Sequence, residues 1–107
     1  MGDSQKKKQP TDRQQHYMRL MADNLPTLRA KLNITQTELA DIIGISRQTV
    51  AIAETGVREM SWSTFMSLLL LFSHDEATNG LLPVLGIYTP ELSDMLTPSE
   101  RGKGKSR

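Results

Sequence analysis

The chain contains no cysteine among its 107 residues. Disulfide staples and thiolate metal sites are therefore excluded, and a reducing cytoplasm is the expected setting. Long apolar runs are missing too. The densest, Leu68–Phe72, falls far short of the roughly 20 residues that span a bilayer. No apolar stretch follows the N-terminal lysines to make a secretory signal. A soluble protein with no membrane partner is expected. No segment alternates at the period of a strand and no internal repeat is present, which leaves helices as the building material. A chain of this length forms one small domain.

Net charge is only +1, and it is segregated. Lys6, Lys7 and Lys8 lie in one tail, and Arg101, Lys103, Lys105 and Arg107 in the other. Between Arg13 and Glu100 stand 6 basic residues against 10 acidic ones, a net of −4. A nucleic-acid binder ordinarily shows a basic footprint; here the tails either supply it or simply solubilise the chain. Residues 1–11 and 99–107 carry too little apolar content to fold. They are expected to be a disordered basic arm and a disordered basic tail.

Catalytic readings find little support. His16 and His74 are the only histidines and lie far apart in sequence. Ser46, Ser61 and Ser63 lack a nucleophile elbow and read as helix caps or surface groups. Asp75 and Glu76 form a charged loop. No enzyme activity, metal, cofactor or small-molecule ligand is expected. Met18, Met21, Met60, Met66 and Met95 read as flexible core fillers.

Residues Gln36 to Ala53, QTELADIIGISRQTVAIA, carry the clearest pattern. From Gln36, Leu39, Ala40 and Ile43 share one helical face, and Ala40 is small enough to let a second helix cross closely. Gly44 supplies the left-handed conformation that ends the first helix. Ile45 then tucks inward, Ser46 caps the next helix, and Val50 and Ala53 turn into the core. Arg47, Gln48, Ala51, Ile52 and Thr55 are left facing out. A helix–turn–helix of this shape can lay its second helix in the DNA major groove.

Around this unit, Asp12–Asn24 has helical spacing at Tyr17, Leu20 and Met21, with Asp12 as cap. Pro26 pushes Leu25 out of helical geometry, so a new helix is expected to open there and run to Leu32. Asn33 ends it in the left-handed region, and Thr35 caps the helix from Gln36. Thr55–Met60 is a loop around Gly56. Ser61 caps an apolar helix from Trp62 to Ser73. One of its stripes, Trp62, Phe65, Met66 and Leu69, faces the helix–turn–helix unit; Leu68, Leu71 and Phe72 form another. A helix apolar on two faces must be covered twice, by the C-terminal segment or by a second copy. That segment reads as two short helices split near Gly86–Tyr88, the second capped by Thr89. Pro83 requires the first to begin late, around Asn79–Gly80, or to be kinked. Leu68, Leu71, Phe72, Leu82, Leu85 and Ile87 are expected to form a homodimer interface.

The stretch LPTLRAKLNITQTELADIIGISRQTVAIAETG followed by SWSTFMSLLLLF resembles the Cro/phage-repressor type of helix–turn–helix, the XRE family of transcriptional regulators. The likeness covers Leu25 to His74. It implies an all-α fold: a phage-repressor-like five-helix DNA-binding domain over residues 12–74 (helix–turn–helix 36–55), here with short C-terminal helices over 75–98 that serve dimerisation. It also implies double-stranded DNA as partner, homodimers on palindromic operators, and repression. Arg29 and Glu54 match the pair that joins the family's first helix to the end of its reading helix. Ala40, Gly44 and Val50 match its framework positions.

Groove chemistry assigns the exposed residues. Arg47 suits guanine O6 and N7, Gln48 suits adenine N6 and N7, and Ala51 and Ile52 can touch only thymine methyls. Gln36, Ser46, Thr49 and Thr55 resemble the family's phosphate-contacting positions. Arg58 can reach the backbone, and Lys6, Lys7 and Lys8 can lie along an adjacent groove as an arm. Two departures stand out: family members often carry a polar or basic residue in place of Ile52 and a basic one in place of Val57. The competing expectation is an antitoxin-like protein-interaction module whose C-terminal apolar surface covers a partner protein.

Overall fold

A computed structural model describes residues 9–98, and their regular structure is entirely helical. The elements are α1 (Asp12–Leu32), α2 (Gln36–Ile43), α3 (Arg47–Thr55), α4 (Trp62–His74), α5 (Glu76–Asn79), α6 (Leu81–Val84) and α7 (Pro90–Met95). Thr11, not Asp12, opens the first helix. Its hydroxyl accepts from the Gln14 N–H at 3.1 Å, while the Gln14 side chain accepts from the Thr11 N–H at 2.9 Å. This reciprocal box satisfies two otherwise orphaned donors.

The expected break at Pro26 does not occur; α1 runs through it for 21 residues. An interior proline removes one backbone bond and costs about 3 kcal/mol or more. Tertiary burial offsets that cost. Tyr17, Met18, Met21, Ala22, Leu25 and Leu28 form one continuous buried face across the proline, which itself points to solvent. Interrupting the helix would break that face. Asn33 then ends α1 at φ 58°, and its N–H bonds back to the Ala30 carbonyl.

Core packing gathers α1, α3, α4 and α5 around Tyr17, Phe65 and Phe72, with α2 laid against α3 and α4. Ser61 caps α4 through the Thr64 N–H at 3.0 Å, and the helix extends to His74 at its C-terminus. The Trp62 ring stacks on Phe65 with centroids 4.7 Å apart.

Beyond α4 the segment forms three short helices instead of two. Pro83 is tolerated because α6 starts only at Leu81, within the first turn where an N–H is unneeded. The Thr78 hydroxyl is buried and donates to the Phe72 carbonyl at 2.8 Å, closing the end of α4.

This segment answers how the second stripe of α4 is covered. Leu68, Phe72, Leu82 and Ile87 are all buried within the single chain. The homodimer interface expected from them is corrected accordingly: no partner can reach side chains already packed in the core. Leu71 and Leu85 stay half-buried at the core's margin.

Candidate nucleic-acid interface

The turn that aims α3 is built as its residue types require. Thr35 caps α2 by accepting from the Glu38 N–H at 3.0 Å, and Glu38 returns the bond to the Thr35 N–H at 2.8 Å. Ala40 is buried where α2 and α3 meet. Gly44 adopts φ 79° and ψ 34°, and the Gly44 and Ile45 N–H groups both donate to the Ala40 carbonyl. Ser46 then caps α3 through the Thr49 N–H at 3.0 Å. Val50 and Ala53 seat the helix in the core, and Ile45 packs at its edge.

Arg47 and Gln48 occupy the first two positions of α3, and both side chains are exposed. Arg47 borders an open concavity of about 460 Å³ with Arg29, Asn33, Thr35, Gln36 and Thr37. Exposed N–H groups at capped helix starts, beside a guanidinium, favour anions such as phosphate. Ala51 and Ile52 are half-buried, and Ile52 lines a shallow recess with Thr49, Arg58, Met60, Ser61 and Thr64. Arg58 is exposed.

Four hydroxyl or amide groups are already engaged within the chain. The Ser46 and Thr49 hydroxyls bond each other at 2.8 Å. The Thr55 hydroxyl donates to the Ile52 carbonyl at 2.7 Å and accepts from the Val57 N–H at 3.1 Å. Its single proton is therefore used to finish α3, which leaves it no donor for a phosphate. Gln36 donates one amide N–H to Glu54 Oε1 at 3.0 Å. Lys6, Lys7 and Lys8 lie outside the described residues.

The clamp behind α3 is well formed. Arg29 Nε donates to Glu54 Oε2 at 2.7 Å and Nη2 donates to Oε1 at 3.1 Å, a bidentate pair. Its Nη1 donates to the Ile34 carbonyl at 3.1 Å. Both side chains are largely withdrawn from water, at 19% and 9% exposure. The bond to Glu54 pushes the Arg29 pKa up. Burial by itself disfavours the Glu54 carboxylate, but the bonds from Arg29 and Gln36 and the nearby guanidinium charge outweigh it and hold its pKa below the usual value.

A polar junction elsewhere gave no signal in the sequence beyond the cap at Thr89. The Tyr17 hydroxyl, on α1, donates to Glu91 Oε1 at 2.7 Å and meets the Thr89 hydroxyl at 2.5 Å. It ties the start of α7 to the core.

A family model described as helix-turn-helix matches residues 27–66. No curated protein and no solved structure matches the chain. No helix among the described residues is long and apolar enough to cross a membrane. Capped, glycine-turned and clamped from behind, residues 27–66 are similar to helix–turn–helix domains of the Cro/phage-repressor (XRE) type, a likeness that supports a DNA-binding transcription regulator.

Proposed function

We propose that the protein represses transcription by occupying a palindromic operator as a homodimer. The observation that carries this reading is the placement of Arg47 and Gln48, exposed side by side at the start of a helix fixed by the Arg29–Glu54 pair. Arg47 donates two parallel bonds to a guanine, and Gln48 pairs with an adenine. Ser46, Thr49, Gln36 and Arg58 set the register on the phosphates. Ala51 and Ile52 pack on thymine methyls.

Electrostatics alone cannot hold this domain on DNA. Residues 27–66 carry four basic and four acidic side chains, so sequence-independent affinity is low unless Lys6, Lys7 and Lys8 add phosphate contacts. Such a balance makes specificity depend on base contacts. Selection of bound sequences from a random DNA pool tests the reading. The expected result is a two-fold symmetric motif with half-sites about one helical turn, roughly 34 Å, apart. A pool that shows no enrichment, or an asymmetric single site, contradicts it.

A further inference from the structure

Thr49 and Ile52, on the outward side of α3, share a recess of about 170 Å³ with Arg58, Glu59, Ser61 and Thr64. The recess joins the reading helix to the loop that follows it and to the start of α4. Two features here attract phosphate. Arg58 is exposed, and the first turn of α4 presents the Trp62 and Ser63 N–H groups, which no earlier turn of that helix can accept. Glu59 opposes both. Its side chain is exposed, and among the described residues no ion pair engages it.

We infer that Glu59 is a selectivity residue acting by repulsion: its carboxylate weakens binding to every duplex, so that only sequences rewarded by Arg47 and Gln48 stay occupied. The inference rests on the DNA-binding reading above and adds what limits affinity for the wrong sequences. Two other carboxylates of the unit are already used. Glu54 is paired with Arg29, and Glu38 accepts from the Thr35 N–H. On the other side of its loop, Glu59 also borders Arg19 and Asp23 of α1, whose charges offset each other. An approaching phosphate therefore meets an uncompensated anion. An operator bound well above saturation tolerates that loss. Random DNA, held by phosphate contacts alone, does not.

Location decides which carboxylates can act this way. Two like unit charges about 4 Å apart in water weaken binding by about fivefold. The effect fades over a Debye length of about 10 Å at 0.1 M salt. Glu76, an exposed carboxylate in the first turn of α5, carries the same charge beyond the far end of α4. The 13 residues of α4 put that end roughly 20 Å from Ser61, about two Debye lengths. Glu76 thus controls for net charge without touching the reading face.

Fluorescence anisotropy of the full chain on a random-sequence duplex and on the selected operator, between about 50 and 200 mM salt, tests this. Glu59→Gln should tighten binding to both duplexes by up to about fivefold at the low-salt end. Glu59→Lys should tighten it further and steepen the salt dependence by about one phosphate contact. Glu76→Gln should bind as wild type does. Glu59 is exposed, so thermal melts of the variants should match wild type, and the glutamine variant changes charge without changing shape. The motif selected by Glu59→Gln should be unchanged. Equal effects of Glu59→Gln and Glu76→Gln overturn the inference. So does weaker operator binding with altered preference at one base pair, which would make Glu59 an acceptor for cytosine N4. Random DNA that gains from Glu59→Gln while no operator is selected sinks the proposed repressor alone. An operator-binding protein indifferent to Glu59 sinks this inference alone.

Discussion

Arg29 and Glu54 stand 25 residues apart in sequence and meet through two parallel hydrogen bonds of 2.7 and 3.1 Å. The pair fastens the last turn of α3 to α1, and Gln36 adds a third bond to the same carboxylate from the start of α2. One carboxylate thus holds α1, α2 and α3 in register. Removing one partner of a buried pair strands the other charge, which costs about 3–5 kcal/mol. Glu54→Ala should fall near the lower limit because the guanidinium it strands keeps some contact with water, and Arg29→Ala, which strands the more deeply buried carboxylate, should cost more. Replacing both residues by apolar ones of similar size should cost less than either single change. Urea denaturation of the two single variants and the double variant measures this.

The same carboxylate predicts an acid response. The folded-state pKa of Glu54 is lowered, so its stabilising contribution is complete above the unfolded carboxylate value, about 4.3. It is lost as pH falls through the lower folded value. Wild type should therefore lose stability on acidification below about pH 4.3, and Glu54→Gln, already destabilised at neutral pH, should lose less over the same range. Thermal melts at pH 7 and pH 3 compare the two. Parallel losses would remove Glu54 from the acid response.

Gly44 offers a cleaner test of local geometry. It sits at φ 79°, and a Cβ there would meet nothing within 4 Å. Gly44→Ala therefore measures left-handed strain without a clash, expected at about 1–2 kcal/mol. Gly44→Asn should cost less, since asparagine visits this region more readily. If alanine were as stable as glycine, the turn would have to have changed its conformation.

The contrast between these sites explains what the sequence disclosed. Caps at Thr35, Ser46, Ser61 and Thr89 and turns at Asn33 and Gly44 follow local rules, satisfied within four residues, and were legible. Pro26 was misread because local propensity says nothing about the buried face that carries α1 through it. The supposed interface residues Leu68, Phe72, Leu82 and Ile87 were recognisably apolar, but pattern cannot say whether the covering surface belongs to the same chain. The inward bonds of the Thr55 hydroxyl and of one Gln36 amide N–H were not legible for a related reason: a polar side chain chooses among partners that only folding brings near. Arg29 and Glu54 were paired through family resemblance; their spacing alone did not require it.

Base reading by Arg47 is a further expectation. Arg47→Ala should weaken binding to the selected operator by about 1–3 kcal/mol and relax preference at one base pair per half-site. Binding to random DNA should fall less. Gln48→Ala should relax a neighbouring position. Competition binding against a panel of single-base operator variants reads both effects. Equal losses on operator and random DNA for the Arg47 change would reduce it to a phosphate contact.

Tyr17 gives the last prediction, and it concerns the C-terminal segment. The ring packs near Phe65, with centroids 6.4 Å apart, while the hydroxyl bonds Thr89 and Glu91. Tyr17→Phe keeps the ring and removes only those bonds. Glu91 is about half exposed, with its other oxygen 3.3 Å from Arg13 Nε, so water and Arg13 replace part of what is lost. The cost should be about 1 kcal/mol. Its location is more telling than its size. Amide exchange should accelerate in α7, where Thr89 caps the helix by accepting from the Leu92 N–H. Exchange in α2 and α3 should stay unchanged, because neither touches the junction. Faster exchange throughout would mean that Tyr17 supports the whole core, and that α7 is not an independently opening unit.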